Sequence, residues 1–204
     1  MRKSRIGPID LDAVAFDIDG VVADTMSVFV RLAHEKYGLT KLSKQDMLCY
    51  NLYNCLGLEK EVIDDLISLT LDEEHTKLIP PIAGAPEVLT ELAGSTPLRF
   101  ITARTGADSI SEWIFSILPT VCPQDITVIA SGSPDCKLGI LQRLGIRYFV
   151  DDRLETCKNL KEAGIEPLVF EQPWNRDEVA PGFIRIHDWA QLRQWLLPSG
   201  ANLE

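Results

Sequence analysis

Residues 13–21 read Ala-Val-Ala-Phe-Asp-Ile-Asp-Gly-Val, an apolar run that ends in two carboxylates and a glycine. The first part, Ala13–Ile18, is short and mostly apolar, which is typical of a strand buried on both faces of a parallel sheet. Side chains alternate along an extended chain, so Asp17 and Asp19 can lean to the same side. Gly20 lets the chain turn sharply directly after them. The stretch therefore predicts a buried strand with two acids at its carboxyl end.

Similar short apolar runs recur along the chain and predict five further strands. They are Leu98–Thr102, Ile126–Ala130, Arg147–Asp151, Pro167–Phe170 and Phe183–Ile186. Amphipathic stretches lie between them; Ile110, Trp113, Ile114 and Ile117, for example, form one helical stripe. Strands that alternate with helices indicate an α/β fold, with a doubly wound, mainly parallel sheet covered by helices on both sides.

Residues 23–77 interrupt this alternation, because they contain helical patterns but no convincing strand. The helices are predicted at Val28–Tyr37, Lys44–Tyr50 and Glu61–Thr70. We expect an all-helical insertion at 23–77 after the first strand, with residues 1–22 and 78–204 forming the core. The insertion could be a packing subdomain or a lid. A lid is favoured, because ligands of open α/β sheets bind beyond the carboxyl ends of the strands.

Composition and charge limit the classes of function. The 204 residues are 46% hydrophobic and 25% charged, as in globular domains, and the net charge is −10. Such an acidic chain is not expected to bind nucleic acid polymers or an anionic membrane surface. No apolar run approaches the ~20 residues that span a bilayer, and the five cysteines form no C-x-x-C pair. We expect a reduced, cytoplasmic protein; its oligomeric state is open, with a homodimer as one option.

Polar side chains end or follow several of the predicted strands. Besides Asp17 and Asp19 these are Thr102 at the end of the second strand, the pair Asp151-Asp152, and Lys137 at the start of a predicted helix. The carboxyl ends of parallel strands meet at one edge of a sheet, so these groups can share one crevice.

Several acids in one crevice repel one another, by about 4 kcal/mol for a pair 4 Å apart at an effective dielectric constant near 20. Protonation or a divalent cation would relieve this repulsion. Carboxylate oxygens favour Mg²⁺, which typically shares its coordination with a substrate phosphate. With Lys137 and the Thr102 hydroxyl nearby, this arrangement suits phosphoryl transfer to or from a small phosphorylated substrate.

The same residues, in this order, resemble the four motifs of the haloacid dehalogenase-like (HAD) superfamily. The motifs are Asp17–Val21, Thr102 in Ile-Thr-Ala-Arg, Lys137, and Asp151-Asp152, and residues 23–77 resemble the small helical cap of that superfamily. The resemblance implies that Asp17 is a nucleophile forming an aspartyl-phosphate and that Asp19 is the general acid and base. A second carboxylate at that spacing favours phosphoester hydrolysis over carbon–halogen cleavage.

The resemblance also implies phosphoryl and metal ligands. Thr102 and Lys137 would hold the phosphoryl oxygens. Asp17, the main-chain carbonyl of Asp19 and the acidic pair would bind Mg²⁺. Adjacent residues rarely aim at one point, so we prefer Asp152 as the direct ligand and Asp151 as a supporting or water-mediated one.

The segments Ile-Thr-Ala-Arg, Val-Asp-Asp-Arg and Gln-Pro-Trp-Asn (172–175) are similar to those of bacterial relatives of the 5′(3′)-deoxyribonucleotidases. Those enzymes sandwich a base between aromatic residues of the cap; here Tyr50 and Tyr53 are the candidates. Arg104 could reach the substrate or pair with surface acids. We expect a nucleotidase. The alternatives are a phosphatase of a sugar or other small metabolite, a phosphotransferase, and a catalytically silent binding protein.

Overall fold

The computed structural model describes residues 9–177 and 181–197. Its sheet has six strands in the order β3-β2-β1-β4-β5-β6, and each neighbouring pair is parallel. The strands are β1 (Val14–Phe16), β2 (Leu98–Thr102), β3 (Ile126–Ala130), β4 (Tyr148–Asp151), β5 (Glu166–Phe170) and β6 (Ile184–Ile186). The predicted α/β class and its mainly parallel sheet are confirmed.

Helices occupy the connections between the strands. They are α1 (Thr25–Tyr37), α2 (Lys60–Leu71), α3 (Glu73–Thr76), α4 (Ala85–Ala93), α5 (Asp108–Ile117), α6 (Lys137–Arg143), α7 (Leu154–Glu162), α8 (Pro173–Arg176) and α9 (Trp189–Leu196). Within the described ranges, no helix combines the length and apolarity needed to cross a bilayer.

The alternation of side chains along the strands creates one core on each face of the sheet. Phe16 packs with residues of α4, α5 and α9, whereas its neighbour Ala15 packs with residues of α6 and α7 on the opposite face. The ring centroid of Phe16 lies 5.9 Å from the ring centroid of Phe100 and 5.8 Å from that of Trp189. These aromatic contacts fix the central strands, and with them the edge where β1, β2 and β4 end.

The segment between β1 and α4 leaves and rejoins the core through two stretches of chain that lie side by side. Asp24 N donates to the Pro80 carbonyl at 2.9 Å, and Ile82 N donates to the Val22 carbonyl at 2.7 Å. Between these stretches α1 packs against α2. The boundaries 23 and 77 of a separate cap remain a prediction.

The predicted helix at Lys44–Tyr50 is wrong. Only a single 3₁₀ turn forms, at Lys44–Asp46, and residues 47–51 are irregular. The Asp46 carboxylate accepts from both the backbone N–H and the hydroxyl of Ser43, and the Asn51 side chain accepts from Tyr53 N to begin a second turn. Such local bonds between side chain and backbone compete with a continuous helix.

Candidate active site

The carboxyl ends of β1 and β4 and the first residue of α6 meet at the same edge of the sheet. Lys137 Nζ lies 2.9 Å from Asp17 Oδ2 and 2.8 Å from Asp151 Oδ2, and all three side chains are buried. The topology causes this convergence, because β1 and β4 are hydrogen-bonded neighbours. Three predicted site residues from distant parts of the sequence are therefore in direct contact.

Asp152 adds a third buried carboxylate to this group. One oxygen atom from each of Asp17, Asp151 and Asp152 lies within 4.8 Å of the other two. A donor set made of carboxylates suits a hard cation such as Mg²⁺ rather than zinc or copper, which favour nitrogen and sulfur ligands.

The ionisation of Asp17 and Asp152 is disfavoured without a cation. Burial, together with the charges of Asp151 and Asp19, raises the pKa of Asp17 to about 7, although Lys137 opposes this rise. Burial and the charges of Asp151 and Asp17 also raise the pKa of Asp152. A bound divalent cation would favour the ionised forms, so the residues present fit a metal site.

Lys137 supplies a positive charge to this cluster of acids. Burial lowers its pKa, but the charges of Asp151 and Asp17 outweigh that effect and raise the pKa above its ordinary value. The ammonium also lies 5.3 Å from the centre of the Phe149 ring. Lys137 is therefore held as a buried cation between two acids.

Replacing Lys137 by Met is expected to lower the free energy of unfolding by about 3–5 kcal/mol, because it leaves two buried carboxylates without their shared partner. Urea unfolding in a buffer with chelator measures this. Lys161→Met is the matched control, because Lys161 pairs with Glu166 where both side chains are about one-third exposed. It should cost no more than about 1 kcal/mol. Equal losses in the two variants would contradict a structural role for the buried ion pairs.

Asp19 has a separate cationic partner, Arg104. The guanidinium donates to both carboxylate oxygens, from Nε at 3.0 Å and from Nη2 at 2.8 Å, and the Thr25 hydroxyl donates at 2.5 Å. Burial alone would raise the pKa of Asp19, but the bonds from Arg104 and Thr25 outweigh it and lower the pKa below its ordinary value. The structure thus places Arg104 on an acid of the site, not on a surface acid.

Thr102 lies behind Asp19 and is fully buried. Its hydroxyl is 3.4 Å from Asp19 Oδ2 and accepts a hydrogen bond from Arg104 N at 3.2 Å. The Thr102 carbonyl accepts from the backbone N–H and the hydroxyl of Ser131. The end of β2 is therefore tied both to Asp19 and to the chain that follows β3.

Gly20 is required by its backbone and by the space around it. Its φ is +78°, and a Cβ atom there would lie 2.3 Å from Asp152 Oδ2. The Gln172 side-chain amide donates to the Gly20 carbonyl at 2.7 Å. The close approach of this turn to Asp152 therefore depends on the absence of a side chain.

Asp152 is oriented by residues that follow β5. Trp174 Nε1 donates to Asp152 Oδ2 at 2.9 Å, and the Asn175 side-chain amide donates to the Asp152 carbonyl at 2.7 Å. Neither of these bonds was predicted. The segment 172–175 had marked the family resemblance, but nothing local in it indicated contact with Asp152.

A cavity of about 490 Å³ opens between these groups and the segment that follows α1. Its polar and aromatic lining includes Asp17, Asp19, Tyr50, Asn51, Tyr53, Arg104, Asp152 and Trp174, and its apolar lining includes Met26, Ile67 and Leu71. Both tyrosines are partly exposed at its wall. The Arg153 guanidinium lies 5.1 Å from the Tyr50 ring centre, and the Tyr53 hydroxyl donates to Asp64.

Comparisons with known proteins agree with this geometry. Residues 11–201 match the family model described as 5′ nucleotidase, deoxy (pyrimidine), cytosolic type C protein (NT5C). Nucleotidase CA_C3379 of Clostridium acetobutylicum is 20% identical over 181 residues, which cover 88% of this chain and 90% of that protein.

Solved structures show the same fold. A HAD-superfamily hydrolase of subfamily IA from Geobacter sulfurreducens superposes with a TM-score of 0.55 at 19% identity, over 90% of this chain and 95% of its own. Protein Tyrosine Kinase A of Mycobacterium tuberculosis reaches a TM-score of 0.62 at 17% identity, over 90% of this chain and 96% of its own. At these identities the likeness concerns the fold. The family match, which spans nearly the whole chain, is what makes this protein a member of the NT5C nucleotidases of the HAD superfamily.

Proposed function

We propose that this nucleotidase hydrolyses nucleoside monophosphates through a phosphorylated Asp17, with Mg²⁺ as its metal ion. The observation that carries the proposal is the different setting of the two acids that follow β1. Both acids line the cavity, but Asp17 is buried beside Lys137, whereas Asp19 is more exposed and is held by Arg104 and Thr25. One carboxylate is suited to attack and the other to proton transfer.

In the first step an Asp17 oxygen attacks phosphorus and the bond from phosphorus to the ester oxygen breaks. The bonds from Arg104 and Thr25 lower the pKa of Asp19 in the free site, so the proton that Asp19 gives to the leaving oxygen is taken up when the anionic substrate binds, which raises that pKa. The phosphoryl group remains on Asp17. In the second step Asp19 takes a proton from a water molecule, whose oxygen attacks phosphorus. The bond from phosphorus to the Asp17 oxygen breaks, which releases inorganic phosphate and the Asp17 carboxylate. Lys137 and Thr102 would hold the phosphoryl oxygens in both steps, which requires the buried Thr102 hydroxyl to turn from Asp19 Oδ2, now 3.4 Å away, to the phosphoryl group.

Asp17, Asp152 and the carbonyl of Asp19 would hold Mg²⁺, with Asp151 in support. Both carboxylate oxygens of Asp151 already accept hydrogen bonds, from Lys137 Nζ and Arg153 N, whereas Trp174 bonds to Oδ2 alone of Asp152. This difference supports Asp152 as the direct ligand. When bound, Mg²⁺ would offset the negative charge of the acids and the phosphate.

The cavity supports a nucleotide as the substrate. Its volume lies within the range of about 300–1,000 Å³ that small-molecule pockets occupy. Tyr50 and Tyr53 offer aromatic faces to a base, and Asn51 between them offers an amide that could bond to the base edge. We propose that residues 23–77 form a cap and supply this wall.

Phosphate release from a panel of phosphomonoesters tests the proposal. With Mg²⁺ present, kcat/KM should be at least about tenfold higher for pyrimidine nucleoside monophosphates, ribo and deoxy, than for sugar phosphates or p-nitrophenyl phosphate. The expectation rests on base stacking, worth about 1–3 kcal/mol. Highest activity on a sugar phosphate would support the metabolite phosphatase instead.

The variant Tyr50→Leu, measured on the same panel of phosphomonoesters, tests whether the base stacks on Tyr50. It should raise KM for nucleoside monophosphates roughly tenfold and leave KM for a sugar phosphate nearly unchanged, because a sugar phosphate has no aromatic ring to stack on Tyr50. Tyr37→Leu is the matched control, since Tyr37 lies at the end of α1 and bonds to Asp65. An equal effect on both substrates would argue against stacking on Tyr50.

A further inference from the structure

Arg104 connects Asp19 to the inserted segment, residues 23–77. Two of its nitrogens bond to the Asp19 carboxylate, and the third, Nη1, donates to the Thr76 hydroxyl at 2.7 Å. Thr76 is the last residue of α3 and is fully buried, and Arg104 is 9% exposed. The guanidinium therefore reaches Asp19 on one side and the inserted segment on the other.

The geometry gives each of these bonds a separate role. The fork formed by Nε and Nη2 sets the plane of the Asp19 carboxylate, because a guanidinium is planar and its donors are rigidly spaced. The Nη1 bond fixes the orientation of the guanidinium itself. Without the Thr76 hydroxyl the guanidinium loses the bond that fixes its orientation, so its Nη groups would rotate more freely. The Asp19 carboxylate would then be held less firmly.

We infer that Thr76 is a positioning residue for the proton transfer by Asp19, acting through Arg104. The inference rests on the proposed function of Asp19. It also means that the inserted segment contributes to the acid and base chemistry, not only to the cavity wall. The orientation of the Asp19 carboxylate then depends on α3, through Arg104, as well as on Thr25.

Thr70 provides a matched comparison in the same segment. It is also buried, but its hydroxyl donates to the Leu66 carbonyl within α2 at 2.7 Å. Replacing either threonine by valine keeps the shape of the side chain and removes one hydroxyl. The two valine variants therefore differ in whether the lost hydroxyl was bonded to Arg104.

Steady-state kinetics in Mg²⁺, with the alkyl phosphomonoester that the wild type hydrolyses fastest, test the inference, because an alkoxide leaving group needs the proton of Asp19. Thr76→Val should lower kcat roughly 10- to 100-fold with little change in KM, because a small misplacement of a reacting group has an effect of this size. Thr70→Val should stay within about twofold of the wild type, and Thr76→Ser, which keeps the hydroxyl, should restore most of kcat. If Thr76→Val does not fold, Thr76→Ala is measured in its place.

A second measurement does not depend on turnover. With ¹⁵N-labelled arginine, the Arg104 side chain, assigned with Arg104→Lys, should show slow rotation of its Nη groups in the wild type and in Thr70→Val. Rotation should be fast in Thr76→Val. Equal kcat in the two valine variants, no rescue by serine, or unchanged rotation in Thr76→Val would overturn the inference. A wild type inactive on every phosphomonoester would instead overturn the proposed function, and the rotation would still decide the role of Thr76.

Discussion

Asp17→Asn is expected to lower kcat for phosphate release by at least about 10⁴-fold, because an amide cannot attack phosphorus as a carboxylate does. Asparagine keeps the size of the side chain, and Lys137 keeps its second anionic partner, Asp151, at 2.8 Å. The variant should therefore fold, with a circular dichroism spectrum like that of the wild type. The loss of activity would then report the missing nucleophile.

Asp10→Asn is the matched control for this variant. Asp10 pairs with Arg147 on the surface, before β1, and both side chains are more than half exposed. This substitution should leave kcat unchanged. Mass spectrometry after acid quench should find the phosphoryl group on the wild-type peptide that contains Asp17. Activity in Asp17→Asn close to that of an active wild type would contradict the covalent mechanism. Negligible turnover in both the wild type and Asp17→Asn would support a silent binding protein.

The sequence was sufficient to place the six strands, because each is a short, mostly apolar run that ends at a polar residue or directly before one. The class of the sheet followed from the alternation of strands and helices. Residues 47–51 could not be predicted in the same way. Their irregular path depends on hydrogen bonds of Ser43 and Asn51, which a pattern of apolar residues does not reveal.

The same limit applies to the candidate site. Because the carboxyl ends of parallel strands meet at one edge, the sequence alone predicted that Asp17, Lys137 and Asp151 lie close together. The family resemblance then suggested their roles. The bonds of Thr76 to Arg104 and of Trp174 to Asp152 join residues 28 and 22 positions apart. Such contacts depend on how the inserted segment and the end of β5 pack, so no local signal predicts them.

Removal of divalent metal with EDTA is expected to reduce turnover to the level of Asp17→Asn, and added Mg²⁺ should restore it. Asp17, Asp151 and Asp152 bring three carboxylates within 4.8 Å, and the one ammonium among them is that of Lys137. A phosphate dianion would add to this negative charge. Without a cation the site should therefore bind the substrate weakly and stabilise its transition state poorly.

The same cation should stabilise the fold, which separates a bound metal from a general salt effect. Binding to the native state alone contributes about 2.7 kcal/mol when Mg²⁺ is at 100 times its Kd, and this raises Tm by roughly 5–10 °C in a chain of this size. Potassium chloride at equal ionic strength should not do so. Asp152→Asn should remove the Mg²⁺-dependent part of the shift, because it takes away the ligand proposed to bind directly. A shift of the same size in Asp152→Asn would mean that Asp152 is not the direct ligand. Full turnover in EDTA would mean that the repulsion among these acids is relieved by protonation and not by a metal.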